Sequence, residues 1–174
     1  MADKFADTIE TPRLRMREAT ADDAAFILAI YNDPAFLEFV GNKDIRTQED
    51  ARNYIEKNFI SSYRTNGMGL LIVETKDTRT PIGCCGLVVR PTFDIPDIGF
   101  AYLPDYTSKG FGYEAARATL EHARNTLGLT DIQALVSPEN VKSIGLIEKL
   151  GFSFDRDEIL AGQHSETKIF RLTA

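Results

Sequence analysis

The chain has 174 residues, the length of one domain with one hydrophobic core. Hydrophobic residues make up 43% and charged residues 26%, and the net charge of −6 argues against a protein that binds nucleic-acid phosphates through a basic face. No apolar run approaches the roughly 18 residues of a membrane span. We expect one domain over residues 1–174, in which residues 1–7 form a short frayed tail and not a signal peptide.

The first part of the chain predicts one strand and two helices. Residues 14–17 alternate apolar and polar side chains, which favours a half-buried strand. Thr20 stands at an N-cap position, and the helix that follows is expected to end at Asn32, Asp33 and Pro34. Apolar residues recur at helical spacing from about residue 48 to residue 64, which predicts a second helix.

The second part predicts six strands and two helices. The strands are expected near residues 70–74, 82–89, 97–103, 132–136, 152–160 and 167–172. One helix is expected to begin near Gly112 and to stop before Gly128, and the other to end at Gly151. This order of elements predicts an α/β protein with a mixed sheet and helices on its faces.

A glycine-containing loop connects the strand at 97–103 to the next helix. Gly110 and Gly112 have no Cβ, so the backbone can turn tightly and approach a ligand there. The N–H groups of residues 108–113 can face an anion, and Lys109 adds a positive charge. The loop predicts a pyrophosphate site, although plain turns also contain such glycines. It is not a P-loop, because no Gly-Lys-Ser/Thr follows at the required spacing, and it is not a full dinucleotide fingerprint, because Thr107 stands in place of the first glycine.

The second informative segment is residues 140–152, a capped helix that ends at Gly151. A well-packed core helix would explain Ile144, Ile147 and Leu150. It would not explain why this helix follows a glycine-rich anion loop after one helix and one strand.

Together these segments resemble the acetyl-CoA motifs of the GNAT superfamily of N-acetyltransferases. Residues 107–112 resemble its pyrophosphate loop, and residues 140–152 resemble its helix that begins with Asn and ends in Gly-Phe. Residues 11–17, TPRLRMR, are similar to the start of the RimJ/RimL-like branch, the ribosomal-protein-alanine N-acetyltransferase type. The resemblance implies the GNAT fold, a central twisted mixed sheet flanked by about four helices.

The resemblance also implies a mechanism and a cofactor site. The strands near 97–103 and 132–136 should splay apart, and the pantetheine arm of acetyl-CoA should lie in the gap. A neutral amine then attacks the thioester directly, without an acyl-enzyme. The residues expected to bind acetyl-CoA are Tyr102, Leu103, Ser108, Lys109, Gly110, Phe111, Gly112, Tyr113, Asn140 and Ser143.

The chain departs from the family pattern at three positions. Thr107 stands where Gln or Arg is frequent, and Ile147 stands where many members carry a tyrosine that protonates the leaving thiolate. Ser143 is the expected substitute for that tyrosine. Asp97 replaces a frequent Glu and is expected to be either a general base, if burial raises its pKa, or a solvated strand-end carboxylate.

Other reactive side chains are expected to be structural. Cys84 and Cys85 are interpreted as small core thiols in a reducing, cytoplasmic protein, and no residue spacing indicates a metal site. Arg13, Arg15 and Arg17 are interpreted as a solvated strand face or an edge guard.

Two other functions remain open on the sequence alone. The missing tyrosine at position 147 is compatible with a non-catalytic GNAT-like module that binds acyl-CoA, and the glycine loop with a nucleotide-binding domain. The acceptor, a protein N-terminus or a small-molecule amine, is not specified, although residues 36–47 and 92–96 are expected to line its site. The expected state is a monomer or homodimer that binds neither nucleic acid nor a membrane.

Overall fold

An eight-stranded mixed sheet organises residues 8–173, the part of the chain that the computed structural model describes. The expected tail at residues 1–7 lies outside the described residues. In chain order the strands are β1 Ile9–Glu10, β2 Leu14–Arg17, β3 Leu70–Thr75, β4 Pro81–Val88, β5 Asp97–Tyr102, β6 Asp131–Val136, β7 Ser153–Ile159 and β8 Glu166–Thr173.

Six α-helices lie between these strands in the described residues. They are α1 Ala24–Ile30, α2 Pro34–Phe39, α3 Gln48–Tyr54, α4 Ser61–Asn66, α5 Phe111–Asn125 and α6 Val141–Lys149. A π-helical segment, Ile55–Ile60, joins α3 to α4, so that the predicted second helix is continuous but widened in its middle turn. None of the described helices is long and apolar enough to cross a membrane.

The sheet order is β1-β2-β3-β4-β5-β6-β8-β7 over the described residues. Neighbouring strands run antiparallel except for β5 and β6, which are parallel. Helix α5 connects these two parallel strands and packs against β4. The expectation of a mixed sheet flanked by helices is confirmed.

Strands β5 and β6 separate almost as soon as they meet. Their described ladder contains one residue pair, Asp97 with Gln133, and the Gln133 N–H donates to the carbonyl of Pro96 at 3.0 Å. Beyond this point, the edge of β5 that faces β6 has no strand partner among the described residues. The predicted splay between these two strands is therefore present.

Helix α2 is an element that the sequence did not predict. Pro34 begins this helix, and the Asp33 side chain caps it by accepting a hydrogen bond from the Ala35 N–H at 3.1 Å. Asn32, Asp33 and Pro34 were expected only to end α1. Because proline is favoured at the first helical position as well as after a helix, the same residues end one helix and begin the next.

The arginines of β2 are neither a solvated face nor an edge guard. Strand β2 lies between β1 and β3, and Arg15 donates to Glu74 at 3.0 Å. Arg17 bridges Glu74 at 3.0 Å and Asp23 at 2.8 Å, and both carboxylates are buried. The interpretation was wrong because Glu74 lies on β3, far from β2 in sequence. No local sequence pattern predicts that Glu74 pairs with Arg15 and Arg17.

Candidate active site

A cavity of about 900 Å³ lies beside the free edge of β5. Phe100, Ala101 and Tyr102 of this strand line it, next to the loop that precedes α5. The other walls are helix α6 and the segment from the end of α1 through α2. The cavity thus begins where the two parallel strands separate, and its volume is that of a site for a small organic ligand.

The loop before α5 presents unpaired backbone donors to this cavity. Ser108 and Gly110 adopt left-handed conformations, with φ of 60° and 84°. The N–H groups of residues 108–113 have no hydrogen-bond partner among the described residues, and the first turn of α5 has no side-chain cap. Free N–H groups at the positive end of a 15-residue helix form a site for an anion.

The start of the chain holds this loop in place. Glu114 of α5 accepts three hydrogen bonds: from the Thr11 hydroxyl at 2.5 Å, the Arg13 N–H at 3.0 Å and the Arg13 Nε at 2.7 Å. Arg13 also donates to the carbonyl of Lys109 at 3.2 Å and lies 4.3 Å from the centre of the Phe111 ring. Partial burial acts to raise the pKa of Glu114, but the bonds from Thr11 and Arg13 outweigh it and lower that pKa.

Helix α6 brings two polar side chains to the opposite wall. The Asn140 side chain caps the helix by accepting from the Ser143 N–H at 3.3 Å, which leaves its amide N–H₂ available as a donor. The Ser143 hydroxyl has no hydrogen-bond partner among the described residues, and both side chains line the cavity. Lys142 and Lys149 add positive charge to the same wall, and neither was among the residues expected to bind acetyl-CoA.

Residues 13–153 match the family model for the acetyltransferase (GNAT) domain. The chain belongs to the GNAT acetyltransferase family. As a GNAT domain with relatives named N-acetyltransferases, it is an acetyl-CoA-dependent acetyltransferase, which favours the enzyme over the acyl-CoA-binding module.

Individual relatives resemble the chain in sequence and in fold. The uncharacterized N-acetyltransferase p20 of Bacillus licheniformis is 28% identical over 149 residues, which are 84% of this chain and 82% of that protein. The acetyltransferase structure from Agrobacterium tumefaciens str. C58 has a TM-score of 0.81 at 24% identity, covering 97% of this chain and 95% of its own. RimJ of Mycobacterium smegmatis in complex with CoA-disulfide has a TM-score of 0.80 at 20% identity, covering 97% and 88%. RimL and ribosomal-protein acetyltransferases are also similar in structure, which confirms the resemblance to the RimJ/RimL-like branch at the level of fold.

Two features of this GNAT domain fit acetyl-CoA. The free edge of β5 offers backbone groups to an amide-bearing pantetheine arm, and the N–H groups of residues 108–113 offer donors to its phosphates. The Tyr102 ring lines the cavity, but its hydroxyl is buried on the side of the Cys85 thiol and is not a feature of the ligand site.

The residues expected to bind acetyl-CoA divide into two groups. Those that line the cavity are Tyr102, Ser108, Gly110, Gly112, Tyr113, Asn140 and Ser143. Leu103, Lys109 and Phe111 do not line it. Lys109 lies over the Tyr106 ring, and Phe111 lies against the Arg13 guanidinium. Of the segments expected near the acceptor, Phe36, Phe39 and Val40 line the cavity, whereas residues 92–96 do not.

Asp97 lies away from this lining, at the single pair that joins β5 to β6. It is 2% exposed, and it accepts hydrogen bonds from Arg90 Nε at 2.8 Å and Nη2 at 3.2 Å. Burial raises the pKa of Asp97, and Arg90 opposes part of that rise. The carboxylate is therefore neither solvated nor open to the cavity, and a catalytic role would require a path through water.

The two cysteines are core thiols, as expected. Both are free and buried, and burial raises the pKa of Cys85 to about 11 and that of Cys84 further still. Neither thiol is a nucleophile at neutral pH, because only the thiolate reacts. Among the described residues, no group of three or more His, Cys, Asp or Glu side chains is placed to hold a metal ion.

Proposed function

We propose that this GNAT domain transfers the acetyl group of acetyl-CoA to a primary amine, which belongs to a protein N-terminus or a small molecule. The observation that carries the proposal is the free edge of β5 beside a cavity whose mouth is a loop of unpaired N–H groups. A ligand with amides at one end and a pyrophosphate at the other matches that arrangement in order.

Each wall of the cavity has a role in this proposal. The N–H groups of residues 108–113 hold the pyrophosphate, and Lys142 and Lys149 supplement their charge. The backbone of β5 near Tyr102 pairs with the pantetheine arm, whereas the Leu103 N–H is already donated to the carbonyl of Ile82 at 2.9 Å. The Asn140 amide N–H₂, free because its oxygen caps α6, donates to the same arm.

Acetyl-CoA supplies the activated acetyl thioester, and the protein moves the protons. The Ser143 hydroxyl donates to the departing sulfur, in the place of the tyrosine that Ile147 replaces. Asp97 takes a proton from the acceptor ammonium through water. Attack is direct, because both cysteines are buried and protonated and do not form an acyl-enzyme.

The setting of the enzyme is part of the proposal. A single-domain organisation over residues 1–174 is supported by the family match across residues 13–153. A cytoplasmic location is supported by two free cysteines, which are typical of reducing compartments. The proposed state of assembly is a monomer or homodimer, and light scattering would distinguish the two.

Calorimetry with acetyl-CoA tests the proposal, and two glycines of the chain make a matched pair. A Cβ on Gly112 would lie 3.4 Å from both Leu146 and Tyr102 in the cavity wall, whereas a Cβ on Gly145 of α6 would meet nothing within 4 Å. Gly112→Val should lower the affinity by about tenfold or more, since its branches crowd the cradle. Gly145→Val should bind like the wild type.

The acetyl-CoA proposal fails if the wild-type protein shows neither heat nor thermal stabilisation at millimolar acetyl-CoA. It also fails if both glycine variants bind equally well, because the cradle would then lie elsewhere.

A further inference from the structure

One part of the cavity lining is apolar. It consists of the end of α1 and helix α2, which contribute Ile30, Ala35, Phe36, Phe39 and Val40. Val40 is 48% exposed, and Val141 of α6, which also lines the cavity, is 74% exposed. Exposed apolar side chains in the lining of a cavity are typical of a site that an apolar ligand covers.

One carboxylate interrupts this apolar wall. Asp33 lines the cavity, and its Oδ2 accepts the capping hydrogen bond from the Ala35 N–H. Its Oδ1 has no hydrogen-bond partner among the described residues. The single other acid in the described lining, Glu139, accepts from the Ser137 hydroxyl at 2.7 Å. The wall therefore offers one negative charge that is free to pair with one ammonium group.

We infer that the acceptor is a primary monoamine that carries an aromatic or branched aliphatic group. Its ammonium pairs with Asp33 before proton loss, and its apolar group packs on Phe36, Phe39 and Val40. This inference rests on the proposed function and names the substrate class for it. A polyamine does not match the site, because its further charges would face apolar side chains and lose hydration without a partner.

The reaction with this acceptor balances without another reactant. The amine nitrogen forms a bond to the acetyl carbon, and the bond from that carbon to sulfur breaks with its electron pair going to sulfur. The ammonium first loses one proton to base or solvent. The nitrogen loses a second proton as the amide forms, which balances the proton that the sulfur takes up as it leaves as the thiol of CoA. The products are the N-acetylated amine and CoA.

An acceptor panel tests the inference with the full-length enzyme at saturating acetyl-CoA. The acceptors are 2-phenylethylamine, isopentylamine, ethanolamine, spermidine and a short peptide with an N-terminal phenylalanine. The first two should exceed ethanolamine and spermidine in kcat/KM by about tenfold or more, because an apolar site discriminates by the groups it buries. Preference for spermidine or ethanolamine, or equal rates for all, overturns the inference. A higher rate with the peptide than with either apolar amine overturns the choice of a small acceptor.

Two residues of α2 give a matched pair for the apolar contact. Phe39 lines the cavity, whereas Leu37, which is 39% exposed on the same helix, does not. Phe39→Ala should lower kcat/KM for 2-phenylethylamine by about tenfold and leave the KM for acetyl-CoA unchanged. Leu37→Ala should change neither value. Equal effects of the two substitutions overturn the inference.

Asp33→Asn tests the charge without removing the cap, because asparagine is an equally good N-cap residue. It should raise the KM of every amine by about fivefold to tenfold and leave acetyl-CoA binding intact. An unchanged amine KM overturns the role of Asp33. Absence of acetyl-CoA binding in the wild-type protein contradicts the proposed function itself, whereas binding without transfer to the apolar amines overturns this inference alone.

Discussion

Ser143 and Ile147 lie one turn apart on α6 and have different surroundings. Ser143 lines the cavity with an unengaged hydroxyl, whereas Ile147 is 2% exposed within the core. Ile147, at the position where many family members carry a tyrosine, therefore cannot protonate the leaving thiolate. If a side chain protonates the leaving sulfur here, Ser143 is the hydroxyl that α6 provides.

Ser143→Ala should slow turnover by about tenfold, since a thiolate leaving group needs modest help and one hydrogen bond contributes about 1–2 kcal/mol. The N–H of residue 143 keeps its bond to Asn140, so the helix cap and the affinity for acetyl-CoA should persist. Single-turnover kinetics and calorimetry separate the two quantities. A wild-type rate in Ser143→Ala would show that Ser143 does not protonate the leaving group and that the role of α6 is structural.

Asp97 and Arg90 form a pair in which the basicity of one depends on the other. Arg90 lowers the pKa of Asp97 against the rise caused by burial. If Asp97 is the base, Arg90→Gln should raise that pKa, and the acid limb of the pH–rate profile should move to higher pH. Asp97→Asn should lower the maximal rate, and the loss should shrink as the pH rises and free amine becomes abundant. Profiles that do not move in either variant would make solvent the base.

The sequence placed residues of the two local motifs around the cavity better than it placed residues that depend on distant partners. Asn140, Ser143 and both loop glycines were expected at one ligand, because their residue types and spacing reflect local backbone geometry, and all four line the cavity. The ion pair of Asp97 was not foreseen. Arg90 lies in the connection after β4, and nothing local distinguishes it from a solvated arginine.

At the scale of elements, the bonds of Thr11 and Arg13 to Glu114, here called the clamp on the α5 loop, can be tested by a matched comparison. Arg13 and Arg15 lie two residues apart, and each binds a carboxylate. Arg13 binds Glu114 in the first turn of α5, and Arg15 binds Glu74 on β3. Only the first also holds the carbonyl of Lys109. The two side chains therefore have similar chemistry but different relations to the loop.

Arg13→Ala should raise the KM for acetyl-CoA by roughly threefold to tenfold at an unchanged kcat, because its bonds are strong but partly exposed. Arg13→Lys should restore part of the loss, since lysine keeps the charge without the planar fork. The control, Arg15→Ala, should lower stability in urea and leave that KM unchanged. Equal KM values in the two alanine variants would show that the clamp does not shape the loop.

Elements with strong periodicity were predicted within a few residues, and the exceptions have physical causes. Helix α2 has only six residues and its start coincides with a stop signal at Pro34. Strand β1 has two residues, too few for an alternating pattern. In the π-helical segment Ile55–Ile60 each N–H bonds the carbonyl five residues earlier and not four. This change alters the spacing of apolar residues too little to be predicted from the sequence.

At the scale of the molecule, one residue pair joins the β1–β5 half of the sheet to the β6–β8 half within residues 8–173. A ligand in the gap would bind the folded state across this junction and stabilise it. At a concentration of about 100 times Kd, acetyl-CoA should raise the unfolding temperature by roughly 5–10 °C. Hydrogen exchange should slow at the β5 amides that face the gap and remain unchanged in β7. Protection confined to the loop before α5 would contradict an extended pairing with β5.

The separation of β5 from β6 also bears on how the enzyme responds to its surroundings. In the proposed binding mode, the gap and the loop contact parts of the cofactor that acetyl-CoA and free CoA have in common, so each should exclude the other with comparable affinity. Product would then accumulate on the enzyme whenever the free thiol is abundant. The rate of acetylation would follow the ratio of acetyl-CoA to CoA and not the concentration of acetyl-CoA alone. The amount of N-acetylated amine would then report on that ratio in the cell.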